Sequence, residues 1–174
     1  GDAIVAVNRD LKVTVWNTGA ERMFGFTREE AVGKVLPSLI GGVDKYDEMV
    51  EIGHRVLDGE SLGPYEAKRY AKDGRVIWAS VTASPLRNPE GQMIGALAII
   101  KDIAHRKRAE QEIKLAYAEL SQIFDCAADA MRVVGKDFRV LRINEAFSNL
   151  CGISKDGAVG KKCYEVFPGP LCHT

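Results

Sequence analysis

Residues 2–34 occur twice. An offset of 127 residues lays Asp2–Lys34 on Asp129–Lys161 without a gap. Identical pairs include Asp10 and Asp137, Val13 and Val140, Asn17 and Asn144, and Gly25 and Gly152. The run Ala31-Val32-Gly33-Lys34 returns whole as Ala158-Val159-Gly160-Lys161. Solenoid repeats recur every roughly 20–50 residues, so this longer spacing means two domains of one kind. A chain of 174 residues has room for two small domains and a sizeable core.

The repeated stretch is dense with stops and starts. Ala3–Val7 is a short apolar run, Lys12–Trp16 alternates, and Asn8-Arg9-Asp10 supplies turn residues between them. This predicts a two-strand hairpin. Asn17 can then cap a helix over Thr18–Phe24, which Gly25 ends in a left-handed conformation. Thr27-Arg28-Glu29-Glu30 has the spacing of a capping box, and Gly33 closes that second short helix. After a loop around Gly41-Gly42, the pattern predicts an amphipathic helix over Asp44–Leu57, with Tyr46, Met49, Val50, Gly53 and Leu57 on its apolar side. Three strands follow, about Tyr65–Ala71, Val76–Leu86 and Met93–Ile103. Turns at Lys72-Asp73-Gly74 and Asn88-Pro89-Glu90-Gly91 separate them. The order implies an α+β domain with helices on one face of a five-stranded antiparallel sheet.

That succession, with its Asn after the second strand, short helix ending in Gly and Thr/Ser box before a further Gly, resembles the PAS sensor domain. The expected organisation is a nearly complete PAS domain over 1–104, a linker helix over 105–125, and the N-terminal half of a second PAS domain over 126–174. Such modules occur in sensor histidine kinases of bacteria and archaea. The resemblance implies signal transduction, with the output domain elsewhere.

Ligands of PAS domains lie between the sheet and the long helix. The resemblance there makes Val5, Val7, Met23, Tyr46, Met49, Val50, His54, Arg69, Ala79, Val81, Ala83, Ala98 and Ile100 pocket candidates, and it also puts Ala96 on the inner face. Small alanines facing larger helix residues leave two outcomes, a small-molecule cavity or a filled core. Arg69 would favour an acidic metabolite at the edge of a cavity; as an ordinary strand residue it would be solvated. Flavin and haem are disfavoured in the first domain. The positions matching a flavin pocket's amides carry Arg69, Ala79 and Ile100, none with an amide's paired donor and acceptor. The first copy has no cysteine for a flavin adduct, and the surroundings of Cys163 in the second do not match. The usual haem-ligand position falls near Glu48 rather than His54.

In the linker, Ile113, Ala116, Leu120, Ile123 and Ala127 keep a three-four spacing that suits a short dimerising coiled coil. The family's junction motif reads here Asp102-Ile103-Ala104 with Arg106, implying an Asp102–Arg106 pair that transmits signals into the helix. Cys163, Cys172 and His173 are low-ranking metal or thiol-redox candidates, an alternative to ligand sensing; a third reading is a dimerisation scaffold with no signal of its own. Cys126 and Cys151 fall on predicted helices and are expected to be buried.

No nucleophile, HExxH or phosphate-cradling motif is present, so no catalysis is expected from these residues. Lys+Arg and Asp+Glu are equal at 24 each, which gives no electrostatic footprint for nucleic acid or an anionic membrane. Neither a membrane-spanning run nor a signal-peptide pattern appears. The cysteines follow no secreted disulfide framework, so a cytoplasmic setting is expected, the parent protein being free to carry an anchor elsewhere.

Overall fold

A computed structural model describes residues 1–168, which divide into two compact units, 1–109 and 110 onward. In the first unit, β1 (Ala3–Val7) and β2 (Val13–Trp16) form the hairpin. Its loop is held by Asn8, whose Oδ1 accepts from the backbone N–H groups of Asp10 and Lys12 at 2.9 Å each. Leu11 follows at φ 59°, a left-handed conformation that costs a side chain roughly 1–2 kcal/mol. It is tolerated here because Leu11 is buried.

Helix α1 (Thr18–Phe24) begins under Asn17, whose Oδ1 accepts from the N–H of Ala20, and ends at Gly25 with φ 77°. Helix α2 (Arg28–Ala31) carries the expected box: Thr27 and Glu30 bond each other's backbone N–H. The loop beyond is shorter than the sequence pattern suggests, because Leu36–Ile40 forms a further helix, α3, with a proline in its first turn. The long helix α4 runs Gly42–Leu57, starting two residues before the expected Asp44. Gly42 takes φ 59° against the ring of Tyr70.

Strands β3 (Leu62–Tyr70), β4 (Val76–Arg87) and β5 (Met93–Asp102) complete a five-stranded antiparallel sheet in the order β2-β1-β5-β4-β3. The hairpin is thus added beside β5, and β3 is an edge strand. Registers pair Val5 with Ala98, Ala98 with Ala83, Val81 with Ile100 and with Tyr65. These residues share the face that α4 covers. Phe24, Ile40, Ile77 and Ile100 are fully buried around it, each worth roughly 1.5–3 kcal/mol of transfer free energy.

Helix α5 spans Ala104–Cys126, so the division between units falls within it, and Ala127 of the expected seam lies beyond its end. In the second unit β6 (Arg132–Val134) and β7 (Val140–Ile143) form a two-stranded hairpin, followed by α6 (Glu145–Cys151), α7 (Lys155–Ala158) and α8 (Cys163–Val166). Val140, Ile143, Phe147 and Ala158 make its small core. Among the described residues no helix is long and apolar enough to cross a membrane.

Candidate functional site

Between α4 and the sheet lies a cavity of about 60 Å³. The alternation of β3 decides what points into it: Tyr65 and Arg69 line the cavity, while Glu66 and Lys68 face out. Small residues on the neighbouring strands, Ala83, Ala96 and Ala98, leave the space open. Leu11 closes one end, its side chain packed against the backbone of α4 at Gly53, where a Cβ would stand only 2.6 Å from Leu11 Cδ2.

Val5, Val7, Met49, Arg69, Val81, Ala83, Ala98 and Ile100 line the cavity. Other candidates lie off its wall. Met23 and Val50 pack against the core elsewhere, and Ala79 is fully buried beyond the cavity. Tyr46 is 39% exposed and His54 is exposed. The apolar stripe of α4 is rotated from the expected one: Met49, Ile52, Gly53 and Val56 face the cavity, leaving Tyr46 at the margin. A histidine outside the cavity cannot ligate a haem iron within it. The pattern also missed Leu36, Pro37 and Ile40, hidden in what reads as loop, and Tyr65, whose phase with buried Ala67 and Ala71 was the available signal.

Arg69 is 2% exposed, so it is not the solvated strand residue that its type suggests. Its Nη1 donates to the Lys68 carbonyl at 2.7 Å and its Nη2 to the Tyr65 hydroxyl at 3.4 Å. The Glu48 carboxylate stands at 3.7 Å, beyond hydrogen-bond reach, and is held instead by Lys45 Nζ at 2.8 Å. Burial raises the Tyr65 phenol above its ordinary pKa, with Arg69 pulling the other way. Tyr65 therefore meets Arg69 as a neutral hydroxyl.

The junction with α5 differs from the implied one. Asp102 Oδ1 accepts from the N–H of Ala104, the first residue of α5, at 2.7 Å. The Ile103 N–H donates to the Trp78 carbonyl at 2.8 Å. Arg106 reaches Glu66 on the outer side of β3 rather than Asp102, and Lys107 joins the same carboxylate. Those two cations hold the Glu66 carboxyl below its ordinary pKa, Lys107 more than Arg106. Lys68 and Lys107 also lie over the Trp78 ring, 5.0 and 5.6 Å from its centre.

No group of three or more His, Cys, Asp and Glu side chains placed to hold a metal occurs among the described residues. Cys172 and His173 lie outside those residues. Cys163 is half-buried against the second core. Cys151 is half-buried too and Cys126, the last residue of α5, is exposed, so neither is the fully buried residue that the sequence suggests.

A family model described as the PAS fold matches residues 1–103, and another, described as a PAS domain, matches 118–173. The chain is 32% identical over 118 residues to the signal transduction histidine-protein kinase AtoS of Escherichia coli, covering 68% of this chain and 18% of the kinase. It is 30% identical over 121 residues to two-component system protein A of Emericella nidulans, covering 70% and 18%. Against phytochrome B1 of Solanum lycopersicum the identity is 27% over 133 residues, covering 69% and 12%. The chain thus spans less than a fifth of these relatives. Among solved structures, a PAS domain from Colwellia psychrerythraea superposes with a TM-score of 0.54 at 25% identity, covering 60% of this chain and 87% of that one. An RNA-binding light-oxygen-voltage receptor superposes at 0.56 with 20% identity, covering 67% and 34%, a likeness of fold alone.

Proposed function

Because this chain belongs to the PAS family, we propose that it is the sensing and relay segment of a multidomain signalling protein, a sensor histidine kinase of the kind its relatives represent. A small ligand enters the cavity of the first domain, and its arrival changes how β3 holds the start of α5. The observation that carries this reading is the double use of one edge strand. Arg69 faces the cavity from β3, and Glu66, three residues earlier on the opposite face, grips Arg106 and Lys107. An edge strand is bonded to a neighbour on one side only, so it can shift without breaking the sheet. A ligand need only bind one of two β3 positions better to move the equilibrium.

Helix α5 is the proposed output and dimer contact. Ile113, Leu120 and Ile123 are 69%, 66% and 61% exposed on it, seven and three residues apart as positions of a coiled-coil seam are. A cytoplasmic setting suits the free thiols of Cys126, Cys151 and Cys163. The segment itself binds and transmits; the kinase chemistry belongs to the parent protein.

Native mass spectrometry of the purified 174-residue chain, beside its denatured mass, tests this. A dimer that retains a small added mass, lost when Ala83→Leu fills the cavity, is the expected result. A monomer without retained mass in both forms would sink it.

A further inference from the structure

We propose that the cavity of the first domain is built for a short aliphatic monocarboxylate whose carboxylate pairs with Arg69 and takes the place of Glu48. This rests on the cavity being the sensing site and names the ligand class for it. Among the described residues Arg69 and Tyr65 are the only polar side chains on the cavity wall, and the rest is aliphatic, proline, glycine or methionine. A buried guanidinium with one carbonyl and one hydroxyl as hydrogen-bond partners uses two of its five N–H bonds. Its ion-pair partner is Glu48, 3.7 Å away and already hydrogen-bonded to Lys45. A planar carboxylate matches the guanidinium fork in two bonds at once, a closer pairing than Glu48 makes at 3.7 Å. Nothing on the wall would receive a second anionic group, so dicarboxylates and phosphates do not fit. Amines would meet the charge of Arg69.

Size narrows the class further. A volume of 60 Å³ accommodates roughly four to six non-hydrogen atoms at the space a water needs. That is an acid of roughly two to four carbons, its tail lying against Val81, Ala83 and Ala98. Entry is at the rim between α4 and the edge strand. Glu48 stands there, lining a polar groove on the outside with Asp44, Lys45 and Lys68 and touching Arg69 on the inside. As the acid arrives, Glu48 swings fully onto Lys45, and charge is conserved at the rim.

The test is NMR titration of the isotopically labelled 174-residue chain with butyrate, butyramide and octanoate. The expected result is saturable butyrate binding that moves the amide signals of Val81, Ala83, Ala98 and Ile100. Butyramide should be at least tenfold weaker and octanoate should not enter. Arg69→Met and the cavity-filling Ala83→Leu should each abolish the shifts, the second with Arg69 intact. Glu48→Gln should tighten butyrate a few-fold by removing its competitor; weakening would overturn the displacement. Equal binding of butyramide, unaffected by Arg69→Met, would overturn the acid class while leaving the cavity a ligand site. Shifts for neither compound at the cavity residues would overturn the class and the sensing cavity together.

Discussion

The two copies of the repeat share their local conformation almost atom for atom and differ in what covers them. Asn17 and Asn144 both cap a helix, both accept from a strand-end N–H, at Ile4 and Met131, and both donate to a backbone carbonyl before the first strand. Gly25 and Gly152 end those helices at φ 77° and 63°. Even the strained residue recurs, Leu11 at φ 59° and Phe138 at 61°. Yet Leu11 is 6% exposed and Phe138 64%. In the first copy α4 packs over the hairpin loop, and β5 pairs with β1. In the second, the described residues hold no counterpart of α4 or of β3–β5. Local structure follows from local sequence, whereas burial needs elements far along the chain.

The sharpest way to break this comparison is at the two asparagines. Asn17→Ala removes a cap and leaves the Ile4 and Ala20 N–H groups unpaired. Urea unfolding read by Trp16 and Trp78 fluorescence should show a loss of about 2–3 kcal/mol. Asn144→Ala should go further for its own unit, since the core there is only four residues. Hydrogen exchange should show protection lost across residues 131–166 with the tryptophan transition unmoved. Equal, global losses in both variants would mean the copies do not stand as separate units.

Next come the strained residues. Leu11→Ala should cost about 2–4 kcal/mol by opening the cavity wall, while Phe138→Ala stays within about 0.5 kcal/mol as a surface change. Replacing Phe138 with Gly should stabilise its unit by roughly 0.5–1 kcal/mol, because glycine relieves the left-handed strain. Thermal melts of the three single variants decide it.

A smaller effect is expected at the second short helix. Ser154 caps the Gly157 N–H as Thr27 caps that of Glu30, but no acidic side chain returns the bond. Gly157→Glu should recreate the box and add helix propensity, gaining about 0.5–1 kcal/mol. A Cβ there would stand 2.8 Å from Ser154 Oγ, yet the first copy accommodates one in the same arrangement. Destabilisation in exchange measurements would show that the two frames differ locally after all.

The smallest effect is electrostatic and belongs to the first copy alone. The Glu66 carboxyl is held below its ordinary pKa by Lys107 and Arg106. Its contribution is therefore present at neutral pH and fades only as pH falls through that depressed value. Glu66→Gln should speed amide exchange in the first turn of α5 at neutral pH, with little change in overall stability. Wild type should match it only under acid conditions below the ordinary glutamate range. An unchanged first turn at neutral pH would remove β3 from the relay.

What could be read from the chain follows the same division. The caps, the capping box, the positive-φ glycines, the two hairpins and the period of α4 are encoded within a few residues, because they depend on side chains bonding their own backbone. So was the inward set Val5, Val7, Val81, Ala83 and Ala98, since strand alternation fixes a side chain's face once its neighbour is known. The sense of Arg69 was not legible, because residue type pointed to solvent while β-strand parity pointed to the core. Only the tertiary structure decided between them, by laying α4 over that edge. The same holds for Tyr46, His54 and Arg106. Their partners lie on other elements, and a helical stripe alone cannot say which of two adjacent rows will meet the sheet. The sequence by itself determined two PAS frames and the helix after the first. The packing of α4 on β3 to β5 decided the cavity, its one buried charge and the Glu66 grip on α5. Contacts between distant segments are set by how whole elements pack, and no local pattern contains that.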